Sequence, residues 1–597
     1  MQEKYIRNFA IISHIDHGKS TLSDRLMELT GTVSKREMAP QLLDSLSVEQ
    51  AHGVTVKSRT VQLQYRAKDG QNYRLNLIDT PGHVDFAYEV SKSLAATDGV
   101  LLLVDATQGV QAQTVANWRL AHDLGLPMIP VINKVDSAQA DVDRVYDELM
   151  ALDSTLLSKT IYQVSAKTGQ GVPELLEGIV KELPSPKGDS NRPLKALVYD
   201  SEYDAYLGVI TQIRVVDGQL NAGQTLRFMA TNKSFQPKEV GVYRPDRTKT
   251  NQLSAGEVGY VVTGLKEPKF VKIGDTLTSA SKGCQEAVSG FQERQPVVYA
   301  GIFPKDDYLS LKEALLKIEL NDSALTIAEE HSAALGPGFR VGFLGVFHLQ
   351  IIQERLASEY GIEVIVTAPN VSYQVRQVQE KEAITVTNPA EFPSFEKIES
   401  VEEPIVLGII DTPGDYLDAV MKLAERYRGT FADLVDQAGG VRLSYRLPLA
   451  EIAYDFFNQL KSITHGYASL QTKAIGFEES DLVKVDVQVN YAKVDALAFV
   501  THRSKAAALT QKVVHELKMT IPRRLYPMPV QALVEGKVLA RVDVPPLRKN
   551  AAVNGEQRSV SKKQALLRRQ NVNKRSAAHL DIVLPQEVFN ALLSLNE

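Results

Sequence analysis

The amino-acid sequence predicts a multidomain α/β and α+β protein: a P-loop nucleotide domain, a β-barrel domain, two ferredoxin-like split βαβ domains and a C-terminal domain of its own kind. Three observations predict it. The chain has 597 residues, and single cores stop growing at about 250 to 300, so several domains are needed, on the order of four. An apolar run from Phe9 to Ile15 meets a helical pattern from Thr21 to Gly31 across the tight turn Ser13-His14-Ile15-Asp16-His17-Gly18-Lys19-Ser20. Beyond Val297, apolar segments of strand length twice alternate with helix-length segments in the split βαβ order.

Residues 1–186 are the expected nucleotide domain. A strand, a turn and a helix opening on Gly18-Lys19-Ser20 would point backbone N–H groups and the helix dipole at phosphate oxygens, with Asp16, His17 and Thr21 completing the loop. Lys19 would reach the β and γ phosphates and the Ser20 hydroxyl would take Mg2+. The usual first glycine of such a loop is Ser13 here. The strand that ends at Asp79 runs into Thr80-Pro81-Gly82-His83. That order offers a carboxylate for Mg2+, an N–H at Gly82 to sense the γ phosphate, and an imidazole at His83 to orient the attacking water.

Asn133-Lys134-Val135-Asp136 follows another apolar strand, at the carboxyl end where doubly wound sheets bind ligands. Asp136 can accept two hydrogen bonds, from N1–H and the exocyclic amine of guanine, which adenine does not offer. Ser165-Ala166-Lys167 would address the guanine oxygen through its backbone. The order of these elements makes GTP and GDP, with Mg2+, the expected ligands and GTP hydrolysis the expected reaction, with His83 and Lys19 as catalytic groups. Between the phosphate loop and Asp79 lies Glu49-Gln50-Ala51-His52-Gly53-Val54-Thr55-Val56, where Thr55 is the candidate to ligate Mg2+ only while a γ phosphate is present. A second string, Asp411-Thr412-Pro413-Gly414, has no phosphate loop before it and reads as a capped helix start.

The linker Pro184-Ser185-Pro186-Lys187-Gly188 opens onto short strands and turns over residues 187–285, the expected barrel. Residues 290–375 and 395–479 are the two split βαβ domains, and residues 480–597 form the last domain, with a helix in KAAALTQKVVHELKM. Net charge is -5, which excludes a protein that coats nucleic acid uniformly. Yet Arg548, Lys549, Arg558, Lys562, Lys563, Arg568, Arg569, Lys574 and Arg575 face only Glu556 in one stretch, a local basic segment suited to RNA. Cys284 is the only cysteine, so no internal disulfide can form, and it reads as a small buried apolar residue. The N-terminal apolar run is broken by Ser13, His14 and Asp16, and no run of about 18 apolar residues occurs, so a cytoplasmic location is expected.

The strings SHIDHGKSTLSDRL, DTPGHVDF, VDATQGVQAQT, NKVD and SAKTGQGV resemble those of translational GTPases. SAALGPGFRVGFLGVFHLQIIQERL, RLPLAEIAYDFFNQLKSITHGYASL and the ending PPLRKN to PQEVFNALL narrow the resemblance, over essentially the whole chain, to the LepA (elongation factor 4) family. The resemblance implies that residues 395–479 are similar to domain V of elongation factor G and that 480–597 is a LepA-type domain. It also implies a ribosome-stimulated GTPase that binds ribosomes in its GTP form, with rRNA and tRNA contacts through the third to the last domain. Back-translocation of mispositioned tRNAs is the role it suggests, with small-subunit maturation or initiation as the alternative. Peripheral contact with the inner face of the cell membrane is a further family property, and no obligate oligomer is expected. Ile15 and Val54 would match an apolar gate beside His83. No activating arginine is assignable, and switch GTPases without one lose about 10³ to 10⁵ in rate, so the ribosome is expected to complete the site. Gln50, Ala51 and His52 in the switch loop, Leu207 before Gly208, and AAVNGEQRSVSKKQALLRRQ near the C-terminus depart from the family pattern and suggest a divergent copy working beside a standard one.

Overall fold

The computed structural model of the chain describes residues 3–33, 36, 41–43, 48–49, 55–81, 86–288, 296–322, 324–380, 382–437, 440–453, 455–524, 527–547, 584–585 and 587–589. The first sheet contains β1 (Ile6–Ser13), β2 (Arg59–Arg66), β3 (Asn72–Asp79), β4 (Gly99–Asp105), β5 (Met128–Asn133) and β6 (Tyr162–Gln163) in the order β2-β3-β1-β4-β5-β6. All neighbours run parallel except β2, which is antiparallel to β3. β1, β4 and β5 are buried along their whole length, which is why Phe9–Ile12, Val100–Val104 and Met128–Ile132 read as apolar runs rather than alternating ones. Helices Lys19–Leu29 and Val172–Glu182 close one core with Phe9, Leu77 and Val131, while Val90, Leu94 and Val145 close another with Ala10, Ile12 and Val104.

Eight antiparallel strands, from Lys195–Asp204 to Thr276–Ser279, wrap an apolar core that includes Ala196, Ile213, Phe228 and Val261. This is the expected barrel. Leu207 packs beside Ile210, Tyr260 and Val262, and Gly208 has φ 82° where a Cβ would lie 2.3 Å from the Leu265 carbonyl oxygen. Cys284 is half-buried rather than buried, with Sγ 3.8 Å from the Met229 sulfur. The barrel joins the first sheet through polar contacts: Thr60 Oγ1 to Tyr199 OH (2.8 Å), Arg244 Nη2 to Gln62 Oε1 (2.7 Å), and the pairs Arg74–Glu257 and Arg214–Asp98.

Two four-stranded antiparallel arrangements follow, both in the ferredoxin-like order. The first runs Thr326–Ser332, Gly336–Phe343, Val298–Pro304, Val364–Val366, with helices Tyr308–Asn321 and Val346–Tyr360. The second places Ser469–Glu479 and Gly440–Pro448 on either side of Ile398–Thr412, with Thr430–Gln437 outside. Its central strand is long enough to take a further partner at its start, Tyr373–Gln377. The division expected at residue 375 thus falls inside a strand that pairs with the later sheet. The last sheet orders Ala492–His502, Leu482–Val489, Met528–Val534 and Lys537–Val544 against helix Arg503–Thr520, and Leu584, Val588 and Phe589 return to its core. The basic stretch 548–575 lies outside the described residues.

Candidate functional site at the carboxyl ends of the first sheet

β1 ends at Ser13 and the helix begins at Lys19, so the chain must reverse within a few residues. Asp16 and Gly18 do this with φ of 63° and 94°, a backbone region that only residues without Cβ strain, or with short polar side chains, enter readily. At Gly18 a Cβ would lie 2.4 Å from Asn133 Nδ2. Ser13, in place of the usual glycine, is accommodated because its buried hydroxyl donates to the His14 carbonyl (2.8 Å) while Asn117 Nδ2 donates to its own carbonyl (3.1 Å). His17 is fully buried beneath the loop, and burial pushes its imidazole down to about 4. Thr21 is exposed on the first turn.

Asn133 and Lys134 hold the loops to one another. Asn133 Nδ2 donates to the His17 carbonyl (2.8 Å) and its Oδ1 accepts from Ala166 N–H (2.9 Å), so one amide joins the phosphate loop to Ser165-Ala166-Lys167. Lys134 Nζ donates to the Asp16 carbonyl (2.6 Å) and pairs with Asp105 at 2.7 Å. Burial raises the Asp105 carboxyl, but its bonds from Lys134 and Thr107 outweigh this and hold it below the usual carboxylate range. Asp136, two residues further on, is exposed. Ser165 is buried and its Oγ accepts from Thr168 N–H (3.1 Å), while Arg25 donates to the carbonyls of Ala166 (3.1 Å) and exposed Lys167 (2.7 Å). The roles of Asp105 and Arg25 were not legible: both lie inside the strings VDATQGVQAQT and SHIDHGKSTLSDRL, but their partners are distant in sequence.

On the other side of the loop, Lys19 Nζ donates to Thr55 Oγ1 (2.8 Å) and to Asp79 Oδ1 (3.1 Å) and Oδ2 (3.2 Å). Ser20 Oγ lies 3.5 Å from Thr55 Oγ1, and Ser23, one turn further along the helix, donates to Asp79 Oδ1 (3.3 Å). Four residues predicted separately for phosphate and Mg2+ therefore converge in one cluster, in which Lys19, Thr55 and Asp79 are buried and Ser20 is half-buried. The donor set, two hydroxyls and one carboxylate, consists of hard oxygens and fits Mg2+ sharing its shell with phosphate. Among the described residues no group of three His, Cys, Asp or Glu side chains could hold an ion alone. Ile15 packs beside Val48, Val56, Phe86, Phe347 and Ile351. Gly82 and His83, like Gln50, Ala51, His52 and Val54, lie outside the described residues. Asp411 and Thr412 belong to strand Ile398–Thr412 and cap no helix; the helix Leu417–Arg426 is preceded by a 3-10 turn, and Asp411 instead pairs with Arg119 (2.6 Å) and accepts from Arg442 Nε (2.9 Å).

The comparisons follow this layout. The family model described as Elongation factor Tu GTP binding domain matches residues 4–185, Elongation factor Tu domain 2 matches 208–278, and Elongation factor G C-terminus matches 400–488. A crystal structure of a protein from Thermus thermophilus shares the fold at TM-score 0.57 and 20% identity, covering 80% of this chain and 97% of its own. Fold, site and matches define a translational GTPase, a factor of protein synthesis that hydrolyses GTP. The model described as GTP-binding protein LepA C-terminus matches residues 489–594. The chain is 58% identical over 596 residues to "Elongation factor 4 2" of Lactiplantibacillus plantarum (strain ATCC BAA-793 / NCIMB 8826 / WCFS1), covering 100% of both, and 47% identical over 600 residues to "Elongation factor 4" of Bacillus subtilis (strain 168), covering 100% and 98%. The chain belongs to the LepA, or elongation factor 4, family.

Proposed function

We propose that this protein binds the ribosome in its GTP form, is stimulated by it to hydrolyse GTP, and promotes back-translocation of mispositioned tRNAs in support of fidelity. The observation that carries the reading is full-length similarity to elongation factor 4 proteins, including the LepA-type C-terminal segment, on a chain whose Lys19, Ser20, Thr55 and Asp79 meet in one cluster. Ser20, Thr55 and Asp79 would hold Mg2+, which when bound neutralises developing charge on the phosphates. Lys19 gives the β and γ phosphates a fixed cation, and Gly82 supplies an N–H to the γ phosphate. His83 orients the attacking water once the ribosome holds it, and Asp136 selects guanine while Asn133, Lys134 and residues 165–167 fix the loops around the base. The domain divisions 1–186, 187–285 and 480–597 belong to the same reading, with the seam between the third and fourth domains placed before Tyr373 rather than at 375. So do a cytoplasmic location, peripheral membrane contact and rRNA and tRNA contacts made by the later domains. The higher identity to a relative described as "Elongation factor 4 2" than to one described as "Elongation factor 4" supports a divergent second-copy role.

Co-sedimentation of the GTP-analogue form with 70S ribosomes and with free 30S subunits tests this reading. Preferential binding to 70S is expected. Preference for free 30S would replace it with the small-subunit maturation reading.

A further inference from the structure

Thr55 is held by more than its own hydroxyl. Glu49 is buried, and its Oε1 accepts from the backbone N–H groups of Val56 (3.0 Å) and Lys57 (3.1 Å). Charge-assisted bonds of this kind are about twice as strong as neutral ones, so the carboxylate fixes the two peptide groups that follow Thr55. Val56 is buried between Val48 and Phe86 of the first domain and Ile351 of the helix Val346–Tyr360. Lys57 then reaches outward: its Nζ lies 3.4 Å from the carbonyl oxygens of Ser201 in the barrel and Asn321 at the end of helix Tyr308–Asn321, and 3.7 Å from Asp200 Oδ2. Three successive residues thus face the phosphate cluster, the third domain, and the junction of the second and third.

We infer that Glu49 and Lys57 are positioning residues for Thr55. Glu49 sets the local backbone, and Lys57 makes that setting depend on how the barrel and third domain are seated. The inference rests on the reading that Thr55 engages the site only when a γ phosphate is present. A group that stabilises Thr55 in its inward position then favours the GTP form over the GDP form, because only a differential interaction shifts a two-state equilibrium.

The test is fluorescence titration of the full-length protein with a non-hydrolysable GTP analogue and with GDP, at saturating Mg2+. The variants are Glu49→Ala, Glu49→Gln, Lys57→Met, Lys57→Arg and Thr55→Ala. Glu49→Ala is expected to raise the Kd for the GTP analogue roughly tenfold while that for GDP changes less than about twofold. Lys57→Met should act in the same direction, and Glu49→Gln and Lys57→Arg, which keep an acceptor and a cation, should restore most of the difference. Amide exchange at Val56 and Lys57 in the analogue-bound state should quicken in Glu49→Ala. Equal losses for both nucleotides, or no loss for either, would overturn the inference. If Thr55→Ala weakens the analogue but neither Glu49→Ala nor Lys57→Met does, the inference fails while the reading of Thr55 stands. If Thr55→Ala leaves analogue binding intact, that reading fails and takes the inference with it.

Discussion

His17 sits beneath the phosphate loop with no exposed surface, and burial pushes its imidazole from the ordinary value near 6.5 down to about 4. The unfolded chain binds a proton near 6.5 where the folded one does not. The stability that comes from keeping His17 neutral is therefore complete above about pH 6.5 and is lost as pH falls toward 4, a span worth about 3 kcal/mol. Thermal midpoints of the full chain between pH 7 and 4 should fall less steeply in His17→Asn than in the wild type; parallel profiles would remove His17 from the acid sensitivity. Asp136 carries a second prediction. An asparagine there offers one acceptor and one donor in place of two acceptors, which mismatches guanine and matches xanthine. Asp136→Asn should weaken GTP binding on the order of 100-fold and improve binding of xanthosine triphosphate, both read by titration. The motifs proposed to face phosphate could be picked out in the sequence because short local spacing defines them. Asn133 and Lys134 were legible as site residues, but not that their side chains end on the backbone of the phosphate loop, and the roles of Asp105, Arg25 and Ser23, though inside quoted strings, were not legible. Their roles depend on contacts between residues about 30 to 140 positions apart, which only the sheet order creates.

Between elements, small junctions carry specific geometry. The hairpin joining Lys195–Asp204 to Gly208–Asp217 turns on Gly208, whose φ of 82° and close approach to the Leu265 carbonyl leave no room for a Cβ. Gly208→Ala should destabilise the barrel by about 1–3 kcal/mol, visible as a lower first thermal transition. The second DTPG string was legible as something other than a nucleotide element, because no phosphate loop precedes it. Its true use was not, since it needs a partner on another domain: Asp411 meets Arg119 of helix Ala112–Asp123 and Arg442 of the neighbouring strand. Arg119→Ala and Asp411→Ala should be non-additive in a double-mutant cycle by about 1 kcal/mol, measured by amide exchange in helix Ala112–Asp123. Strand and helix types over most of the chain followed from period and length. The seam near residue 375 did not, because a strand beside a sheet edge carries the same apolar pattern whichever sheet it joins.

At the scale of the whole molecule, one polar cluster in the first domain is linked to the domains behind it: Lys57 to the barrel and third domain, Phe86 to Phe347 and His348, Arg119 to Asp411. His348 Nε2 lies 2.9 Å from Asp322 Oδ2, and although burial raises that carboxyl, the imidazole holds it well below the usual range, so the helix behind the switch is fixed by a polar pair as well as by packing. On the proposed function, this chain of contacts would carry the presence of a γ phosphate outward and the grip of a large partner inward. The partner, on the proposed function, completes the catalytic site. The measurement that tests it most directly is steady-state GTP turnover by the purified full-length protein, alone and with 70S ribosomes, for the wild type and for His83→Ala. Turnover alone should be slow, 70S should stimulate it about 10³-fold or more, and His83→Ala should lose that stimulation with nucleotide binding retained. Turnover that is indifferent to 70S ribosomes, or stimulation that survives His83→Ala unchanged, would contradict that reading.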